Sequence, residues 1–284
     1  MMRSLIAIAA ILFLPIALAH GAEPRYSSAP RFGKVMIVVL ENANYRDALA
    51  QPFLGQFAKQ GALLSEYYAE AHPSLPNYIA LTAGTTAGLT SNAPVSLGLR
   101  HIGDLLEAKD KLWKVYAEGY PGRCFLGERS GLYVRKHVPF LSFENVQKRA
   151  SRCARIVEAS ALISDVASGK VPDYSMYIPD EQNDGHDTGP AFADRWLAKS
   201  FGSLLKNSAF MKGLLFVVTF DEADGSDPRN RVFTALKGDS VLSGSVSKKP
   251  YNHYSLLRTI EDGLGLGNLG QNDASAFSMV GVWK

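Results

Sequence analysis

Two stretches of this chain leave little freedom in how it folds. Val35 to Leu40 reads VMIVVL and Gly213 to Phe220 reads GLLFVVTF, both apolar and rich in β-branched residues with no polar alternation. Strands of that kind are covered on both faces, as in a largely parallel sheet with helices on either side. Weaker strands are expected at 112–118 (KVYAE within it), 174–178 (YSMYI, stopped by Pro179) and 232–236 (VFTAL). Helical patterns fall at 45–60, 102–108, 157–167, 191–206 and 254–266, the last closing on a Gly-rich stop. Strands alternating with helices mean an α/β fold. Residues 119–155 lack clear periodicity and are expected to form an irregular insert.

The start of the chain looks different. Arg3 precedes the apolar run LIAIAAILFLPIALA, which ends in Ala17-Leu18-Ala19. A short positive start, an apolar middle and a small-residue end read as a signal peptide over residues 1–19. An uncleaved anchor is the alternative, but the run is short for a membrane span. Residues 20–33 read as a leader, and 34–284 as one domain. The expected product is exported, periplasmic or secreted, with no stable membrane anchor. In such a compartment two cysteines, Cys124 and Cys153, most simply pair. Closing that loop is worth about 3.5 kcal/mol in the chain-entropy view. A net charge of +3, with no basic run interleaved with aromatics, gives no case for a nucleic-acid partner.

In parallel sheets, ligands gather at the carboxyl ends of the strands. Glu41 and Asn42 follow the first strong strand. PDEQNDGHD, with Asp180, Asp184, His186 and Asp187, follows 174–178. Asp221, Glu222 and Asp224 follow 214–220, and His253 opens the last helix. Carboxylates with imidazoles suit Zn, Mn or Fe, and an oxygen-rich subset suits Ca or Mg. AHPSLPNYIALTAG, residues 71–84, sets His72, Ser74 and Asn77 between two prolines at the mouth of an apolar helix. Taken singly, each feature has a plain alternative. Asn42 or Ser74 is a helix cap, DEADGSD a solvated turn, His186 and His101 structural. Together they weaken that reading, because all would have to cap or solvate at one edge of one sheet. Lys136 and His137, in KHVPF of the insert, are candidates for a substrate pocket beside His72. Trp113, Tyr116 and Trp196 fit core packing.

The order LEN, HPSLPNY, NDGHD, TFDEAD and NHYSLLRTIEDGLGL resembles the bacterial phosphoesterase family of exported acid phosphatases and phospholipases C, within the alkaline phosphatase superfamily. The likeness runs from about 34 to 275. It implies an alkaline-phosphatase-like three-layer sandwich and a phosphate-ester substrate. It implies one or two divalent metal ions, with Glu41, Asn42, Ser74, Asp221 and Glu222 as ligands. Ser74 matches the phosphoryl-accepting nucleophile, and Asn77 a hydrogen-bond donor to the phosphoryl group. Asp184, His186, Asp187 and His253 match the far side of the pocket, as a second metal site or as acid and phosphate-binding groups. His186 or His253 would then protonate the leaving group. Asp180 competes with Asp184 for one role, and Glu222 stands where nucleotide pyrophosphatases have His. An acid phosphatase working through a phosphoserine is the reading favoured. A phospholipase C and a non-catalytic metal- or phosphate-binding periplasmic protein are the alternatives. A sulfatase is disfavoured, since no C-x-P-x-R or S-x-P-x-R segment is present. The substrate, metal identity and oligomeric state are open at this stage.

Overall fold

The computed structural model describes residues 32–284. The signal-peptide segment 1–19 and most of the leader lie outside the described residues.

The two apolar runs become β1 (Lys34–Leu40) and, sixth among the main strands, β6 (Leu214–Phe220), paired in parallel over their whole length. Around them lie β2 (Ala62–Leu64), β3 (Trp113–Ala117), β4 (Ile156–Glu158), β5 (Tyr174–Ile178), β7 (Thr234–Gly238) and β8 (Ser245–Ser247). The order across the eight-stranded sheet is β8-β2-β7-β6-β1-β5-β3-β4. Only β7 runs against the others, pairing antiparallel with both β6 and β2. β1 is buried at every position after Lys34 and β6 at every position, as strands covered on both faces must be.

Seven helices flank the sheet: α1 (Tyr45–Leu49), α2 (Pro52–Gln60), α3 (Ser74–Ala83), α4 (Ile102–Glu107), α5 (Ala161–Ala167), α6 (Pro190–Phe201) and α7 (His253–Leu264). Shorter turns of helix join them. Alternation along β5 divides the layers. Tyr177 stacks towards Trp196 and Phe201 of α6, while Tyr174, of opposite parity, meets Phe140 on the other face. Phe216 sits with Phe57 of α2 and Phe201, on Tyr177's side. The molecule is therefore a mainly parallel sheet between two helical layers.

Several expectations need correction. The helix expected over 45–60 is two, because Pro52 cannot continue α1 and instead opens α2. The segment 157–167 begins as strand β4, and its helix starts only at Ala161. β7 lies two residues beyond the expected 232–236. β2 and its neighbour at the sheet edge, β8, are three residues each and left no periodic signal. The stretch 119–155 contains only two-residue strands, 3-10 turns and four-residue helices, closed by a Cys124–Cys153 disulfide with Cα atoms 5.4 Å apart.

Candidate active site

The sheet delivers its carboxylates to one place because its ladder runs on past the strands. The Asp221 N–H donates to the Leu40 carbonyl at 3.1 Å, and the Glu41 N–H donates to the Asp184 carbonyl at 3.0 Å. Three chain segments are thereby pinned side by side just beyond β1, β5 and β6. Asn42 then turns the chain with φ of 25°, a left-handed conformation that Asn tolerates better than most residues.

Ser74 faces this cluster as the first residue of α3, which is buried throughout. Its Oγ lies 3.1 Å from Glu41 Oε2 and 3.0 Å from Glu222 Oε1. One hydroxyl proton cannot satisfy two carboxylates at once, so a further positive charge or proton is required there. One turn on, Tyr78 donates its hydroxyl to Glu41 Oε1 at 2.6 Å. The Leu75 N–H, in the first turn, is taken by Asn92 Oδ1 at 2.9 Å.

His137 enters from the insert. It is wholly buried, with Nε2 3.2 Å from Glu41 Oε1 and Nδ1 3.4 Å from Asp184 Oδ2, and it stacks on Tyr78 at 5.2 Å. Burial works against its charge, but Glu41 and Asp184 outweigh it and raise His137 to about 9. Burial likewise opposes ionisation of Glu41, and the His137 charge overcomes it, holding Glu41 at about 2. No such partner reaches Asp221. Burial pushes it well above the usual carboxylate range, and Glu41 and Glu222 push it further. Burial also raises Glu222, against the charge of His72, whose Nδ1 contacts Glu222 Oε2 from the solvent side.

The other expected residues fall in distinct places. Asp184 joins the cluster, buried and raised by burial to about 6, while Asp180 caps its own turn through the Asn183 N–H at 2.9 Å. Their competition is thus settled by position. His186 stands on the open side, its ring 6.3 Å from that of His137 and its Nδ1 2.8 Å from Asp187 Oδ1. Asp187 is exposed and stays at that surface contact. Lys136 is half-buried on the wall of the cavity that His186 also lines.

Two residues are not presented as expected. Asn77 is not aimed at a phosphoryl group. Its Oδ1 accepts from the N–H groups of Glu70 and Ala71 at 2.9 and 3.0 Å, and its Nδ2 donates to the Ala71 carbonyl at 2.8 Å. It clamps the backbone leading into Ser74. His253 has both ring nitrogens engaged, one with the Tyr67 hydroxyl at 3.0 Å and one with the Asp221 carbonyl at 2.6 Å. Burial lowers it to about 4, and the neutral ring in this arrangement supports the Asp221 backbone. Tyr78 was missed by sequence reasoning. Its signal was the spacing of four from Ser74, which puts both on one helix face.

A cation is the remaining question. Both carboxylate oxygens of Asp221 and Asn42 Oδ1 are buried with no hydrogen-bond partner, while Glu222 Oε2 and Asp184 Oδ2 meet only the imidazoles of His72 and His137. Orphaned buried oxygens of this kind are costly, and a hard divalent cation relieves them. No three His, Cys, Asp or Glu side chains among the described residues already stand in chelating geometry. The donor chemistry nonetheless fits, because the set that converges includes the Ser74 hydroxyl and the Asn42 amide oxygen.

The profile of the Phosphoesterase family matches residues 38–267. A probable acid phosphatase of Kluyveromyces lactis is 35% identical over 257 residues, covering 86% of this chain and 61% of its own length. A phosphatidylinositol-3-phosphatase of Mycobacterium tuberculosis is 37% identical over 259 residues, covering 88% of this chain and 84% of its own length. The chain spans about six tenths of the acid phosphatases that it matches. In fold it is similar to an alkaline phosphatase superfamily protein from Vibrio parahaemolyticus, with TM-score 0.62 at 12% identity, over 86% of this chain and 70% of the other.

Proposed function

This chain belongs to the phosphoesterase family, and from that premise we propose that it is a metal-dependent phosphomonoesterase of the acid phosphatase type. Residues 34–284 form its single phosphoesterase domain on this reading. The observation that carries it is Ser74 Oγ, held at a helix N-terminus between two buried carboxylates beside a third, Asp221, that lacks any partner.

Glu41, Asn42, Asp221 and Glu222, with the Ser74 hydroxyl, would hold a divalent cation. Bound there, it lowers the pKa of the Ser74 hydroxyl and neutralises charge on the phosphoryl oxygens. The chain's own residues supply the rest. The amino end of α3 favours an anion in front of Ser74. Ser74 Oγ attacks phosphorus in line, forming a phosphoserine as the alcohol leaves, and water then releases phosphate. His186, on the open side, protonates the departing oxygen. His137 offsets the carboxylates and, through Tyr78, fixes the Glu41 rotamer. His72 orients Glu222. Export is supported by the Cys124–Cys153 disulfide and by the N-terminal sequence. No helix among the described residues is long and apolar enough to cross a membrane.

The test is hydrolysis of p-nitrophenyl phosphate and its choline-phosphate diester from acid to neutral pH, with and without chelator. Chelator-sensitive monoester turnover that drops at least about a thousandfold in Ser74→Ala is expected. Preference for the diester would move the assignment to a phospholipase-type diesterase. Turnover unchanged in Ser74→Ala would remove the mechanism, and none at all would favour a binding protein.

A further inference from the structure

A cavity of about 340 Å³ opens beside the nucleophile, lined by Leu75, Lys136 and His186 among others. Leu75 follows Ser74, and His186 stands where a leaving group departs, so the cavity receives the part of the ester beyond phosphorus. Its far wall is the disulfide-closed insert.

The charge of that wall is unusual for this chain. Residues 119–155 contain eight Lys or Arg against Glu128 and Glu144, whereas the whole chain is only +3. The remainder is therefore net acidic, and of the eight basic residues Arg129, Arg135 and Lys136 line the cavity. Along the cavity wall, Arg129, Arg135 and Lys136 stand against Glu128 and Glu181, an excess of one basic residue. Arg129 is paired with Glu181. Arg135 is buried and spends its guanidinium on the carbonyls of Leu126, Val95 and Leu141. Glu128 is exposed at the rim. Lys136 has no acid within 4.0 Å among the described residues, although its charge is felt at Glu41. A half-buried ammonium without a partner on the wall of this cavity is an unfilled half of an ion pair.

We propose that Lys136 selects esters whose leaving group bears its own negative charge, a carboxylate or second phosphate, seated in the cavity between the insert and α3. This rests on the phosphatase reading above. The insert then acts as a specificity element, and the disulfide holds its register.

The test compares 4-carboxyphenyl phosphate with 4-methylphenyl phosphate, which are similar in shape and differ in charge. The ratio of their kcat/KM values is measured in the wild type, Lys136→Met and Lys136→Arg. Intrinsic reactivity cancels when ratios are compared between proteins. The expected result is a fall of about tenfold in Lys136→Met, mainly through KM for the carboxylate ester, with recovery to within about twofold in Lys136→Arg. Should Lys136→Met fail to fold, the wild-type ratio is followed from about 0.02 to 0.5 M salt, where it is expected to fall by screening. Turnover of both esters with a ratio indifferent to Lys136, or to salt, overturns the inference and leaves the phosphatase reading intact. Turnover of neither ester overturns the phosphatase reading itself.

Discussion

Two groups of acids, one half-buried around α4 and one fully buried at the strand ends, differ in what partners them. Around α4, Asp104 and Glu107 meet Arg152 at 2.7 Å each, Asn145 donates to both Asp104 oxygens at 3.1 Å, and Trp113 Nε1 donates to Glu107 at 3.0 Å. Burial opposes their ionisation, but these partners outweigh it and both pKa values fall. At the carboxyl ends of β1 and β6, Asp221 has no partner and its pKa rises. The first group is satisfied by the protein alone and holds the insert to α4. In the second, the protein's own side chains leave Asp221 without a counter-charge. Burial opposes ionisation in both, more completely at Asp221, but the pairing differs in kind: Arg152 counters Asp104 and Glu107, and no cationic side chain counters Asp221. A third group, Glu261 with Asp273, is unpaired in charge yet lies away from the strand ends. Burial first, then Asp273, raises Glu261 to about 9, and Arg258 only partly offsets this. Protonation of Glu261 removes the like charge that burial and Asp273 disfavour there.

Substitutions at the three clusters should respond differently. The largest effect is expected for Asp221→Asn, which should lower kcat/KM by at least about a hundredfold while reversing its stability effect with metal. In chelator it relieves buried like charge and should gain about 1–2 kcal/mol, seen as a higher Tm; in excess divalent metal it should melt below the wild type. A lower Tm in chelator would mean that Asp221 is satisfied without a cation, and the contrast between the clusters would be lost.

Arg152→Met should cost about 1–3 kcal/mol by leaving Asp104 and Glu107 uncompensated, after discount for their partial exposure. Denaturant unfolding checks this, and the loss should be the same with and without metal. A smaller effect is expected for Glu261→Gln. The folded value of Glu261, about 9, lies above the ordinary 4.5, so its protonated form stabilises the fold. That contribution is fully present below about 4.5 and is lost as pH rises towards 9. Gln keeps the neutral state, so the variant should gain about 1 kcal/mol near pH 8 and little at pH 4, flattening the stability–pH curve. The slightest effect belongs to His101, lowered by burial to about 4, whose Nδ1 caps α4 by accepting from the Gly103 N–H at 3.0 Å. Its neutral form is favoured by folding, so stability should fall as pH drops from about 6.5 to 4. His101→Asn should retain a cap, remove that slope, and change Tm at neutral pH by only a few degrees.

Much of this was legible in the chain. Unbroken apolar runs at 35–40 and 213–220 can only be buried strands, and the residue after a strand necessarily sits at the sheet's edge. Glu41, Asp221 and Glu222 were therefore placed by local pattern alone, and Ser74 by its proline-bounded approach to an apolar helix. What pattern could not assign was which atoms face inward and what they meet. Asp180 and Asp184 look alike in sequence, yet a turn separates a capping acid from a buried one. Asn77 and His253 carry suitable chemistry, but backbone groups and, for His253, the Tyr67 hydroxyl already occupy their polar atoms. His137 becomes the counter-charge of the site only because the insert folds back over α3, nearly a hundred residues after Glu41. Periodicity is a local property and fixes the scaffold. Proton location, pairing and the open side of a cavity depend on where distant segments meet, and only the tertiary structure decides that.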